Sequence, residues 1–234
     1  LGIIDDDTIM RALLARRGSD MMRDIRKEFS DRPSEKRDFA DEKPADAYKA
    51  TESALMCAVT FLQEDARVPH FGFLAYRYLL VVLTRFFAHH PEPHARNREL
   101  LSRWYWRAAM LGPAPFSSSW NSAARMLASR ITPDDENGSV RRLLDAPIDK
   151  SSNFPKLTGF RTNQAPSRII MSALWDLRPC SLLTGQSYSR EELTQAMESE
   201  ASLADIAMRI LRAEPENCRS WAGNRMIVLE NQNR

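Results

Sequence analysis

Apolar residues recur along this chain at three- and four-residue intervals, the spacing of helices with one buried face. Asp5, Asp6 and Asp7 precede Ile9, Met10, Leu13 and Leu14, which predicts a helix with an acidic start that Gly18 ends. Ser19 is placed to cap a second helix carrying Met21, Met22, Ile25 and Phe29. Ser30 to Pro44 is charged, bounded by prolines and holds a single aromatic residue, the pattern of a linker. A helix is predicted from Asp46 to Glu64, with Tyr48, Leu55, Val59 and Leu62 on one side.

The stretch from Phe71 to His90 is apolar almost all round, leaving only a thin stripe of His70, Arg77, Thr84 and Arg85. Such a helix belongs at the centre of a bundle. From Asn97 to Leu111, residues Leu100, Trp104, Ala108 and Leu111 form one stripe, and Gly112-Pro113 stops the helix. Trp120, Ala124, Leu127 and Ile131 mark another helix capped by Ser118 or Ser119. Asp135 to Gly138 reads as a turn, after which Ser139 caps a short helix with Val140, Leu143 and Leu144.

Ser151 to Pro166 is polar, contains prolines and lacks a helical period, so it is expected to be a loop. Beyond it come a helix over Ile169 to Leu177 and a capping box at Ser189 to Glu192. The same signal at Ser202 to Asp205 precedes Ile206, Ile210 and Leu211. The apolar run from Met226 to Leu229 fits either a short strand or one helical turn. The expected fold is all-α, a multi-helix bundle around a central apolar helix with a smaller helical C-terminal part. Its expected divisions are a helical pair at 1–30, a charged linker at 31–44, a central bundle at 45–150, a loop at 151–166 and a helical part at 167–234.

Thirty-three basic residues against 31 acidic ones give a net charge of +2, so any nucleic-acid partner needs a local patch. Cys57, Cys180 and Cys218 are odd in number and widely spaced, which predicts a reduced, cytoplasmic setting rather than a disulfide scaffold. Arg77 and Arg85 interrupt the longest apolar run, which argues against a membrane span, because a central Arg costs ~2.5–3.5 kcal/mol in a bilayer. The chain opens LGIIDDDTIM without a signal-like start, and it is expected to be part of something longer.

All four histidines lie between His70 and His94, so a catalytic centre that needs imidazole has none to draw on in the last 140 residues. His89, His90 and His94 cluster as HHPEPH, but the prolines forbid helical presentation to a metal, and a polar helix end is the expected role. Neither a phosphate-binding glycine loop nor a nucleophile or zinc motif occurs, and Glu191 and Glu192 belong to the capping box. No catalytic residue, metal site or cofactor is therefore expected in this chain. One binding surface is expected. Arg96, Arg103 and Arg107 are seven and eleven residues apart and share a helical face suited to phosphates. Trp104, Tyr105 and above all Trp106 are candidates to stack on bases, or else to join the core, and Glu99 is placed to neutralise Arg103.

Four segments together resemble a known family: IDDDTIMRALLARRGSDMMRDIRKEFSD, LLVVLTRFFAHHPEPHARNRELLSRWYWRAAMLG, ALWDLRPCSLLTGQ and SWAGNRMIVLENQN. They resemble, in order, the C-terminal two-thirds of the bacterial family related to GmrSD-type modification-dependent restriction endonucleases. The family's N-terminal domain is ParB-like with a DGQQR nucleotide-hydrolysis motif, which does not occur here. Some members close with an HNH-type nuclease. Ala222 to Leu229 resembles its last segment and Asn224 matches its asparagine, whereas the catalytic Asp-His pair before it is missing. The resemblance implies a helical, itself non-catalytic region of a cytoplasmic DNA-defence protein. Its implied partners are DNA and an upstream NTPase domain, with no membrane. The alternative is a helical interaction or homo-oligomerisation scaffold without nucleic acid.

Overall fold

A computed structural model describes residues 2–18, 20–29, 37–116, 119–146, 159–198, 203–211 and 220–229. The chain forms two compact units, one of Ile4–Ala66 and Tyr76–Ser152, the other of Leu1–Ile3, Arg67–Ala75 and Asn153–Arg234. The architecture is helical in both.

The larger unit contains α1 (Asp6–Arg16), α2 (Ile25–Glu28), α3 (Pro44–Glu64), α4 (Arg77–His89), α5 (Ala95–Leu111), α6 (Trp120–Ala128) and α7 (Glu136–Leu144). Helix α4 is its centre: every residue from Tyr78 to Phe87 is buried, and α1, α3, α5 and α6 all pack on it. Burying a Leu, Val or Phe side chain contributes roughly 1.5–3 kcal/mol, so this run is the main stabilising element. Local signals fix the ends of the surrounding helices. The Asp5 carboxylate accepts the Thr8 N–H at 3.1 Å, Pro44 opens α3, and the Ser119 hydroxyl accepts the Ser122 N–H at 3.2 Å.

Two polar side chains of α4 are buried with the rest. Thr84 donates its hydroxyl to the Leu80 carbonyl at 2.9 Å. Arg85 reaches the C-terminal ends of two other helices, donating to the carbonyls of Ala15 at 2.7 Å, Arg16 at 3.3 Å and Ala128 at 3.0 Å. Its guanidinium also pairs with Asp38 at 2.6 Å. Helix C-termini leave carbonyls without intrahelical donors, so one cation closes α1 and α6 together.

Around the end of α1 the charges continue. Arg16 grips Glu42 through two hydrogen bonds of 2.6 Å, and Arg17 meets Glu28 at 2.9 Å with both side chains at most 2 % exposed. Arg37 donates to the Glu28 backbone carbonyl. Phe39, with a positive φ of 56°, lies under the Arg16 guanidinium at 4.0 Å and stacks on His89 at 5.0 Å. Of the segment expected to be a charged linker, residues 37–43 are thus docked on the bundle, while 31–36 lie outside the described residues. Charge here serves packing rather than solvation.

The smaller unit contains α8 (Ala165–Asp176), α9 (Arg190–Glu198), α10 (Leu203–Ile206) and an antiparallel pair, β1 (Ala207–Arg209) and β2 (Arg225–Ile227). Helix α8 packs on β2 and on a 310 turn at Phe71–Phe73, and Arg168 donates to the Leu74 carbonyl at 3.1 Å. The capping box is present in full. The Ser189 hydroxyl accepts the Glu192 N–H at 3.1 Å, and the Glu192 carboxylate accepts the Ser189 N–H at 2.7 Å.

Four boundaries differ from the sequence reading. The Phe71 to His90 stretch is broken: the His70 imidazole accepts the Gly72 N–H at 3.1 Å and closes a 310 turn, and α4 starts only at Arg77. No helix among the described residues is long and apolar enough to cross a membrane. The second N-terminal helix is reduced to Ile25–Glu28, capped by Asp24, and Ser19 lies outside the described residues. Asp135 to Gly138 is the first turn of α7 rather than a free turn, because the Asp135 carboxylate accepts the Gly138 N–H at 2.9 Å. After Ile206 the helix expected to run on gives way to β1, whose partner is the Met226 region. Tertiary pairing overrides local periodicity there.

Candidate nucleic-acid interface

Helix α5 carries the expected surface, and its sides have different tasks. The inner side, Leu101, Trp104, Tyr105, Ala108 and Ala109, is buried. The N-terminal end is held by α7, where the Glu136 carboxylate accepts the His94 N–H at 2.9 Å and an N–H of the Asn97 amide. The C-terminal end stops at Gly112, whose φ of +66° is left-handed and whose position a Cβ would bring to 2.6 Å from the Tyr76 hydroxyl. Burial pushes the Tyr105 and Tyr78 hydroxyls well above their ordinary range of ionisation, so both are neutral core groups.

A second stripe, Arg98, Ser102 and Trp106, closes the end of α3. Arg98 pairs with the Asp65 carboxylate, the Ser102 hydroxyl donates to the Asp65 carbonyl at 3.1 Å, and the Trp106 ring N–H donates to the Ala66 carbonyl at 3.0 Å. Residues four apart lie one above another on a helix, so three donors in register meet one terminus, Ser102 and Trp106 at its unpaired carbonyls and Arg98 at the Asp65 carboxylate. The hydrogen bond with Asp65 raises the Arg98 pKa further. This stripe was missed from the sequence, where its i, i+4, i+8 spacing was the available signal. It gives Trp106 a fixed, half-buried position, and Trp104 is 2 % exposed, so the exposed part of the face consists of arginines.

Arg96, Arg103 and Arg107 are all exposed. Glu99 pairs with Arg96 at 2.7 Å, not with Arg103 as its spacing suggested. Both partners are mostly solvated, and such pairs contribute ~0–1 kcal/mol. Among the described residues no carboxylate forms an ion pair with Arg103 or Arg107. They stand one turn apart, a rise of about 6 Å.

The histidines separate into different roles. His89 is buried 3.3 Å from the Asp38 carboxylate, and burial first, then the Arg85 charge, holds its pKa down at about 4. The His90 ring is 3.1 Å from the Thr132 carbonyl, and His94 is exposed. Among the described residues no group of three His, Cys, Asp or Glu side chains is placed to hold a metal ion.

Asn224 is buried at the start of β2 and clamps the backbone of Leu211. Its side-chain oxygen accepts the Leu211 N–H at 2.7 Å and its amide donates to the Leu211 carbonyl at 3.1 Å. The residue singled out for a family tail is thus a structural fastener here. Comparison of the chain with family models, curated proteins and solved structures returned no match.

Proposed function

We propose that this chain is a helical, non-catalytic DNA-contacting region of a GmrSD-like bacterial defence protein, and that Arg96, Arg103 and Arg107 hold the phosphate backbone. The observation that carries this reading is the exposed Arg103 and Arg107 pair on α5. In the same unit Arg16, Arg17, Arg85 and Arg98 are committed to carboxylates and carbonyls, whereas Arg103 and Arg107 stand one turn apart on an exposed face. Phosphate contacts position a protein on DNA without reading its sequence. The face therefore suits backbone binding, with base readout left to other parts of the protein. Asn224 and the sequence from Ala222 to Leu229 support the family resemblance, as does the order of the four matching segments.

The test is a salt titration of duplex binding, wild type against the Arg96, Arg103 and Arg107 triple alanine variant. Binding that weakens steeply with salt and is lost in the variant supports the reading. Absent or unchanged affinity overturns it. One observation favours the rival, an interaction scaffold: Leu177, Leu182 and Leu183 are exposed, Leu183 by 85 %. The rival is supported if the mass in solution rises with concentration while DNA binding stays at background.

A further inference from the structure

The ion pairs at the end of α1 form a chain that leaves one cation over. Glu42 accepts from Arg16 at 2.6 Å and lies 3.5 Å from Arg17, and Glu28 accepts from Arg17 at 2.9 Å. Arg37 comes last. Its Nε is 3.6 Å from the same Glu28 oxygen, too far for a hydrogen bond. Arg16, Arg17 and Arg37 thus share two carboxylates, Glu28 and Glu42, and the neighbouring Asp38 is taken by Arg85 at 2.6 Å.

The Arg37 side chain is only 5 % exposed. Its Nη1 donates to the Glu28 backbone carbonyl, whereas Nε and Nη2 are buried with no hydrogen-bond acceptor among the described residues. Those two nitrogens lie on one edge of the planar guanidinium, the edge that grips two oxygens of an oxyanion side by side. A buried donor without an acceptor is costly, and a charged one more so. Native interiors rarely leave such groups, and a bound ion is one of the few physical reasons for them.

We propose that the Nε–Nη2 edge of Arg37 is an anion site for a small tetrahedral oxyanion such as inorganic phosphate, which pins segment 37–43 to the bundle. One oxyanion satisfies both nitrogens and balances the odd guanidinium. The Glu28 oxygen at 3.6 Å from Nε repels an anion there, and Arg17, bonded to that same oxygen, offsets the repulsion. Burial decides the source of the ligand. A duplex backbone cannot reach nitrogens that have no contact with solvent, so the ion is a free one. The segment that carries Arg37 is exposed at Ala40 and Asp41, so it can yield to admit the ion without disturbing a helix. The site shares no residue with the α5 face and does not depend on that reading.

The experiment is thermal unfolding of the full chain as sodium phosphate replaces sodium chloride at constant ionic strength, with Arg37→Gln and Arg37→Lys as variants. The wild-type midpoint rises along a saturating curve, as expected for a ligand that binds only the folded state. Arg37→Gln keeps only the shallow, non-saturating rise that excluded salts give any protein. Arg37→Lys retains the charge and most of the stem, so it tests the fork even if the glutamine variant does not fold, and it weakens the apparent phosphate affinity about tenfold. A second readout is local. The Asp38 N–H, bonded to the Arg17 carbonyl at 3.1 Å, exchanges more slowly in phosphate in the wild type and not in Arg37→Lys. A wild type without a saturating response, or an Arg37→Lys variant that keeps it in full, overturns the proposal. So does a response that leaves Asp38 exchange unchanged, because phosphate then acts elsewhere. The Arg103→Ala, Arg107→Ala double variant retains the response, and its loss there would move the ion to α5 and overturn this reading alone.

Discussion

Replacing Arg85 by alanine removes the single cation that joins α1, α4, α6 and the docked segment at Asp38. The guanidinium makes short hydrogen bonds to the Ala15 and Ala128 carbonyls, 2.7 and 3.0 Å, and a 2.6 Å ion pair with Asp38. A hydrogen bond to a charged group contributes about 1.5–3 kcal/mol, and a buried acceptor left without a donor adds a desolvation cost. Asp38 is partly solvated and recovers some water, which holds the expected total to about 3–5 kcal/mol. Arg85→Lys keeps the charge but lacks the fork needed to reach two helix ends at once, and about half of that loss is expected. Urea denaturation followed by far-ultraviolet circular dichroism measures both. A loss below about 1 kcal/mol for Arg85→Ala, against a typical range of 0.5–3 for point mutations, would refute the reasoning that these contacts close the bundle.

Further outcomes follow from the same contacts. His70 and His89 titrate near 4 in the folded chain and near 6.5 when unfolded, so below pH 6.5 the unfolded state binds more protons. Stability is flat above pH 6.5 and falls between 6.5 and 4 by roughly 1–2 kcal/mol per histidine after solvent screening. His89→Gln should flatten that slope in a pH series of urea midpoints, and an unchanged slope would contradict the assignment. Glu42, held low by its Arg16 hydrogen bond, adds a loss at lower pH still. Gly112→Ala is expected to cost about 1–3 kcal/mol through its left-handed φ and the approach to Tyr76, read as a lower melting midpoint. Asn224→Ala should destabilise the smaller unit by about 2–3 kcal/mol and speed hydrogen exchange of the Leu211 amide. Unchanged protection would remove the clamp from the account.

The sequence made the bundle legible where burial is one-sided or complete. The run from Tyr78 to Phe87 has no polar face to place outside, so its central position follows from composition alone. The acidic start of α1, a serine cap at Ser118 or Ser119 and the box at Ser189 were legible because each depends on residues within a few positions. What could not be read depends on partners far apart in the chain. Phe39 was visible as a lone aromatic in a charged segment, but its seat between Arg16 and His89 requires three separate segments to meet. Strand β1 was hidden for the same reason: Ala207 to Arg209 continues a helical pattern until β2 pairs with it. On α5 the exposure of the three arginines was legible from spacing. The pairing was not, because Glu99 has Arg96 three positions before it and Arg103 four after it, both within reach on a helix, and it pairs with Arg96.

The central claim is that Arg103 and Arg107 contact DNA phosphates, and the slope of binding affinity against salt tests it most directly. Each phosphate neutralised adds about 0.9 to the slope of log K against log salt for duplex DNA. The Arg103→Ala, Arg107→Ala double variant should therefore lower the wild-type slope by roughly 2, uniformly across unrelated duplex sequences. An unchanged slope, or a wild type that binds no duplex at low salt, would contradict the account.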